Sequence, residues 1–444
     1  MKTLNKYLFL FLVIGLLSPL SSKAFSVFAH MAIIDASWDK SIVPLLKEKY
    51  PNATADELKV AHSYAYGGCL MPDMGYFPFG SVYFTNLVHY ARTGDFMKNL
   101  VDQSQNINEY AFALGAISHY ITDKYGHSLA TNVAEPIVYP KVGKQFGNVV
   151  TYEEDPIFHS RMEFAFDVLQ MSRGNYASQG YHDLIGFNVA KPLLERAFIL
   201  TYGQDMNDVF HGKLDLAIST FRWSVSNLLP SLTRTAWALK KNDIKKMNPG
   251  MTSRKFHYRL KRKEYYQQYG KEHDKPKFGN RVTAFIIRIL PKIGPLKALK
   301  FTPPGPVAEK LFIKSFDTTL VVYAQVLTGL RNGIKPELPD IDFDTGKPTL
   351  QGEYGLADQT YSLLLLKLQD KKFNDLTPPL QNNILSFYGK ADTTSMVTEY
   401  SKYKVDWKKT YLALQQLKTT RPIPIDSLRF PVDSLPKPAV IKSK

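Results

Sequence analysis

The sequence predicts an all-α protein, a single large helical domain with a basic insertion and a small helical C-terminal extension. Two observations predict this. Between residues 25 and 240 apolar residues recur at spacings of three and four, and no run of alternating apolar and polar residues marks a strand. The chain has 444 residues with an apolar fraction of 44%, enough to bury a sizeable core.

The elements follow in order. Residues 1–24 read as a signal peptide: Lys2 and Lys6 precede an apolar run from Tyr7 to Leu17, and Ser22 and Ala24 place small residues at −3 and −1. The run is short for a bilayer span, so export to the periplasm or the extracellular space is expected, with Phe25 as the new first residue. Residues 25–335 form the main domain, with helical patterns in Val27–Leu46, Ala55–Tyr66, Tyr110–Ile121, Phe158–Met171, Lys213–Leu239 and Val307–Leu330. Loops are expected at Gly67-Gly68, Pro72-Asp73, Pro136 to Asn148 and Arg173 to Gly180. Residues 336–444 form the extension. Pro336 to Tyr354 reads as a loop with a turn signal at Asp344-Thr-Gly346, and helices are expected in Leu356–Leu368, Pro379–Tyr388 and Lys404–Leu417. A Pro-rich tail runs from Arg421 to Lys444.

The formal charge of +16 is concentrated in one place. Segment 240–300 holds 18 Lys and Arg against four acids, a net of +14. Its aromatics Phe256, Tyr258, Tyr265, Tyr266 and Tyr269 suit a nucleic-acid backbone or an anionic bilayer, and a solvated charged loop is the plain alternative. The apolar and basic mixture of Val282–Phe301 favours peripheral contact with an anionic membrane surface over a nucleic-acid groove. Cys69 is the only cysteine, so no intrachain disulfide is possible.

The chemistry centres on His119, Asp123 and His127, spaced i, i+4 and i+8. On a helix all three project from one face. The two histidines are then roughly 12 Å apart along the axis, too far to share one metal, while the carboxylate between them can serve a metal on either side. The spacing points to more than one metal along a helix. Further potential ligands are His30, Asp73, His89 and the i, i+4 pair His159 and Glu163. Taken singly, each has an ordinary structural reading as a core histidine, a turn or a surface pair.

As an ordered set these residues resemble the zinc-dependent phospholipase C superfamily, including bacterial zinc-dependent phospholipase C and the catalytic domain of glycosylphosphatidylinositol-specific phospholipase D. Zinc-dependent single-strand nucleases are more distant relatives. The resemblance covers roughly Phe25 to Asp167. It implies three zinc ions in an all-helical domain, held by the amine and carbonyl of Phe25 and by His30, Asp73, His89, His119, Asp123, His127, His159 and Glu163. It further implies that Phe25, His30 and Asp123 hold one zinc and that Asp73, His89, His119 and Asp123 hold its neighbour. Asp123 then bridges, and His127, His159 and Glu163 hold the third. Zinc-activated water would attack phosphorus, with Asp73 orienting it or accepting its proton. Two departures stand out: the family usually begins with Trp, and the four-residue step from Asp123 to His127 looks closer to the phospholipase D branch.

The expected function is therefore an exported tri-zinc phosphodiesterase acting on phospholipids, with C-type cleavage favoured and D-type cleavage left open. A related nuclease is the second reading, disfavoured by Glu163, the missing disulfides and the spacing at Asp123. A non-catalytic, zinc-stabilised envelope binding protein is the third. Tyr76, Phe77, Phe79, Tyr83 and Phe84 are either a cleft wall or ordinary core. His62, His182, His211, His257 and His273 receive no role, and the oligomeric state is not addressed by the sequence.

Overall fold

The computed structural model describes residues 27–258, 283–284, 287–288, 294–389, 405–431 and 434. The expected signal peptide, Phe25, Tyr265, Tyr266, Tyr269, His273 and half of the Pro-rich tail lie outside the described residues. Among the described residues the architecture is all-α, and the only strand-like pairing is one antiparallel bridge between Ile341 and Pro348. No described helix is long and apolar enough to cross a membrane.

Helix α1 (Val27–Ser37) runs through a π turn (Trp38–Ile42) into α2 (Val43–Lys49). Helix α3 (Ala55–Leu70) begins at a reciprocal cap: Thr54 Oγ1 accepts from Glu57 N at 3.2 Å, and Glu57 Oε2 accepts from Thr54 N at 2.8 Å. Such a cap contributes about 1 kcal/mol. A 3-10 turn (Met71–Tyr76) then leads to α4 (Val82–Tyr90), α5 (Thr93–Asp102) and α6 (Ile107–Gly126). The Asn106 side chain starts α6 by accepting from the N–H groups of Asn108 and Glu109.

α6 is the axis of the fold. Every residue from Glu109 to Asp123 is buried, as expected of a helix packed on all sides. α3 lies along it, closely enough that a Cβ at Gly68 would fall 1.9 Å from the Phe112 carbonyl oxygen. One at Gly115 would fall 2.1 Å from that of Ala65. The Gly67-Gly68 pair therefore serves backbone contact inside a continuous helix, and the loop expected there is corrected: the chain turns only after Leu70.

Past α6 a second π turn (His127–Thr131) leads to α7 (Asn132–Val138) and α8 (Pro140–Phe146). The loop expected from Pro136 to Asn148 is thus largely helical. Pro140 takes the first turn of α8, where its missing N–H costs nothing. The chain continues through α9 (Pro156–Arg173), α10 (Gln179–Ile185), α11 (Lys191–Tyr202), α12 (Leu214–Trp223) and α13 (Leu229–Met247). The long α14 (Pro306–Arg331) packs against α6 and its π turn. α15 (Gly355–Asp370), α16 (Pro378–Tyr388) and α17 (Trp407–Thr419) follow, and α15 packs on α4.

The basic segment is not wholly a surface feature. Phe256, Ile287, Leu296, Leu299 and Phe301 are buried, with the Phe256 ring 5.2 Å from Trp237 and the Phe301 ring 5.5 Å from Phe164. Ile287 and Leu296, the described members of the apolar set expected to face a bilayer, thus belong to the core, and Phe285, Ile286, Ile289, Leu290 and Ile293 lie outside the described residues.

Candidate metal centre

Eight of the nine candidate ligands are described, and all eight are buried. They assemble into three groups, His30/His119/Asp123, Asp73/His89/His119 and His127/His159/Glu163, each with donor atoms within 4.8 Å of one another. The two histidines of the α6 run fall in different groups.

Six elements supply these side chains. His30 comes from α1, Asp73 from the 3-10 turn, and His89 from the last turn of α4. His119 and Asp123 come from α6, with His127 opening the π turn, and His159 and Glu163 from α9. Thr85 ties the Asp73 turn to α4: its hydroxyl donates to Pro72 O at 2.8 Å and accepts from Gly75 N at 2.9 Å. Asp167 ties down the start of α1, its carboxylate accepting from the N–H of Phe28 at 3.2 Å and of Ala29 at 3.1 Å.

Three histidines are oriented alike. Nδ1 of His89 lies 2.8 Å from Thr85 O, Nδ1 of His119 2.8 Å from Cys69 O, and Nδ1 of His127 2.8 Å from Phe343 O. A carbonyl can only accept, so Nδ1 carries a hydrogen and Nε2 is the ring nitrogen that faces the centre.

The spacing of the inward atoms suits zinc. Ligand atoms about 2 Å from a tetrahedral zinc lie roughly 3.3 Å apart. Nε2 of His30 is 3.2 Å from Asp123 Oδ1, and Nε2 of His119 is 2.9 Å from Asp123 Oδ2. Nε2 of His89 is 3.4 Å from Asp73 Oδ1 and 3.7 Å from Asp123 Oδ2. Glu163 Oε1 is 3.1 Å from His127 Nε2 and 3.6 Å from His159 Nε2. A cavity of about 30 Å³ is lined by His30, Asp123, His127 and Glu163 together with Phe312 and Phe316. That is room for a water or an ion.

The two oxygens of Asp123 face different partners, Oδ1 toward His30 and Oδ2 toward His119 and His89. Burial alone would raise its carboxyl, but the charges of His119 and His127 and hydrogen bonds from His119 and His30 hold it well below the usual carboxylate range. Burial would lower His127, yet Asp123, Glu163 and Asp344 hold it well above the ordinary imidazole value. Glu163 is held at about 2 against the opposing effect of its burial, chiefly by His159 and His127. Burial drives Glu135, whose carboxyl oxygens have no hydrogen-bond partner, up to about 9.

Two residues that the sequence did not offer as site residues also reach the centre. The segment from Leu338 to Tyr354 crosses it as a strap. Phe343 N donates to His89 O at 3.1 Å, and its ring lies 5.1 Å from His89 and 5.8 Å from His119. Asp344 follows, 3% exposed. Gly346, at φ +70°, lets the strap pass over α6: a Cβ there would sit 2.8 Å from Lys124 O. The Asp-Thr-Gly signal announced only a turn, and a backbone carbonyl has no sequence signature.

Phe77 and Phe84 are core, Tyr76 lies 6.1 Å from the His89 ring, and Phe79 is exposed. Asp35 lies between His62 Nε2 at 3.3 Å and His182 Nε2 at 3.4 Å and also accepts from the Tyr66 hydroxyl. His257 is buried, with Nδ1 2.7 Å from Ser253 O, and His211 is exposed. A cavity of about 540 Å³ is lined by Phe28, His182, Arg222 and Trp223 among others, and none of the eight described candidates lines it. The donor chemistry, not cavity size, marks the site.

No curated protein and no solved structure matches the chain. Residues 29–212 match the family model for zinc dependent phospholipase C, a stretch that contains all eight described candidates. That stretch is similar to the zinc-dependent phospholipase C family, which supports reading it as a zinc-dependent phospholipid hydrolase domain.

Proposed function

We propose that the chain is an exported tri-zinc phosphodiesterase that hydrolyses phospholipids, with C-type cleavage favoured over D-type. The observation that carries this reading is Asp123, whose two oxygens face the His30 side and the His89/His119 side at metal-ligand spacing. When bound, zinc supplies the Lewis acidity that makes water nucleophilic at neutral pH and offsets phosphate charge.

The chain's own groups do the rest. His30, Asp73, His89, His119 and Asp123 form a paired site, and His127, His159 and Glu163 a third. Asp73 has the most accessible side chain of the paired site, 12% against 4 to 6% for His30, His89 and Asp123 and 0% for His119. It is thus best placed to orient the attacking water and accept its proton. Phe25 would contribute its amine once residues 1–24 are removed. An α-amine titrates near 8, so releasing its proton to bind metal is inexpensive. The clamp of Asp167 on Phe28 and Ala29 supports this, because it fixes the chain just before His30. The basic segment would contact an anionic membrane through its charged side chains.

The test is product analysis. Mature, zinc-loaded protein on mixed phospholipid vesicles should release phosphorylated headgroup, and Asp123→Asn should abolish release. Phosphatidate as product would assign D-type cleavage. Cleavage of single-stranded DNA without lipid turnover would make the protein a nuclease, and full zinc with no turnover of either would make it a binding protein. A form that retains residues 1–24 should bind less zinc than the mature chain. Equal binding would refute the Phe25 role.

A further inference from the structure

We propose that Asp344 and Glu135 are positioning residues of the His127/His159/Glu163 metal group, so that the strap after Leu338 is a working part of the metal centre. The inference rests on the three-metal reading above. It adds two carboxylates, one of them far outside the family-matched stretch of residues 29–212.

The geometry is the same on both histidines. Asp344 Oδ1 lies 3.8 Å from His127 Nδ1, and Glu135 Oε2 lies 3.8 Å from His159 Nδ1. Each carboxylate stands behind its imidazole, on the side away from Glu163. Asp344 is fixed from three directions: Tyr90 Oη donates to its Oδ2 at 2.8 Å, the Tyr354 hydroxyl donates to the same oxygen, and Asn132 Nδ2 donates to its backbone carbonyl at 2.6 Å. Its Oδ1 is thereby left facing His127, while the adjacent Phe343 carbonyl takes the Nδ1 hydrogen.

Glu135 has no such support. It is fully buried, neither of its oxygens has a hydrogen-bond partner, and neither has His159 Nδ1. Two facing polar groups buried without partners are costly. A small ring movement that seats His159 Nε2 on a cation also brings its Nδ1–H toward Glu135.

Charge gives the same answer. Two neutral imidazoles and the Glu163 carboxylate leave a dication with one uncompensated positive charge in a buried site. The Asp344 carboxylate supplies the balancing charge, and Glu135 offers an acceptor behind His159. Carboxylates behind metal-bound histidines fix ring orientation and raise ligand basicity, and their loss typically costs 10- to 100-fold in metal affinity.

The experiment is zinc counting by native mass spectrometry during titration with a competing chelator. It uses the mature full chain and the isosteric variants Asp344→Asn and Glu135→Gln. Each variant should release one zinc about 10- to 100-fold more readily and hold the other two as the wild type does. In a His127→Ala background, which already lacks that metal, neither variant should change zinc binding further. Metal-stripped Glu135→Gln should melt no lower than metal-stripped wild type, because a buried carboxyl without partners has been removed. Should Asp344→Asn fail to fold, Tyr354→Phe removes one donor to the same carboxylate and should weaken the same zinc a few-fold. Wild-type retention of all three zincs by these variants would overturn the proposal. So would weakening of all three in step with a lower melting point of the stripped protein. A wild-type chain with no His127-dependent zinc would overturn this proposal and the three-metal reading together, whereas the first two results leave that reading intact.

Discussion

The metal groups and the Asp35 cluster are made of the same residue types at similar depth, and they share helices: His30 and Asp35 are both on α1. In the metal groups, donor atoms from several elements gather within 4.8 Å of one another, and backbone carbonyls behind His89, His119 and His127 turn the other ring nitrogen inward. Around Asp35 a single carboxylate takes all the partners: Tyr66 and His62 on Oδ1 and His182 on Oδ2. Trp38 stacks on His62 with centroids 3.9 Å apart, which closes that side to an ion. Convergence, more than histidine content or burial, separates a candidate ligand from a structural histidine.

The most severe way to break this comparison is Asp123→Asn. If Asp123 faces two metals, kcat/KM on phospholipid vesicles should fall by more than about a thousandfold, the scale of losing a central catalytic group. The zinc content should fall as well. Retained activity would put Asp123 in the same class as Asp35.

Removing zinc comes next. In excess chelator the protein should lose about 4 kcal/mol for each site that had been saturated a thousandfold, measured by thermal unfolding. An unchanged midpoint would mean that the donor groups are held together without metal.

A paired substitution tests the two clusters directly. His119→Ala should lose zinc and turnover together. His62→Ala should keep its zinc and lose only about 1–3 kcal/mol, the usual scale for breaking a buried polar contact. Loss of zinc in His62→Ala would erase the distinction.

The smallest effect is a pH dependence. Burial would raise Asp35, but its hydrogen bonds and charge interactions with His182 and His62 hold it at about 2, below its ordinary 3.8. The unfolded chain therefore binds this proton more readily. The contribution, about 2 kcal/mol, is present above pH 4 and is lost as pH falls toward 2. His62, lowered chiefly by burial, adds a loss of the same sign as pH drops below about 6.5. Asp35→Asn should flatten the acid limb of the stability curve in metal-stripped protein, read from denaturant midpoints. An acid limb as steep as wild type's would show that Asp35 carries none of it.

Much of the centre could be read from the chain because helical spacing is a local property. His119, Asp123 and His127 declare a shared face before any tertiary contact is known, and His159 and Glu163 do the same. Other features were hidden for physical reasons. Gly67-Gly68 reads as a breaker, yet it is a contact surface, and only the partner helix reveals which. Phe343 acts through a carbonyl that every residue possesses. Glu135 has no ligand-type spacing to His159 and meets it only because α7 and α9 pack together. Ile287, Leu296 and Phe301 read as membrane-facing because their basic neighbours are exposed in sequence, whereas each side chain packs inward on its own.

The strap also sets an order of events. The eight described candidates are all in place in the chain by residue 163, but the groups that close the back of His127 arrive at Phe343 and Asp344. On a growing chain, some 180 further residues must be made before this histidine meets its last buried neighbours. A product stopped anywhere in that interval would carry the complete motif and an unfinished centre. The length of the gene, and not only its motif, therefore governs when this protein first becomes whole.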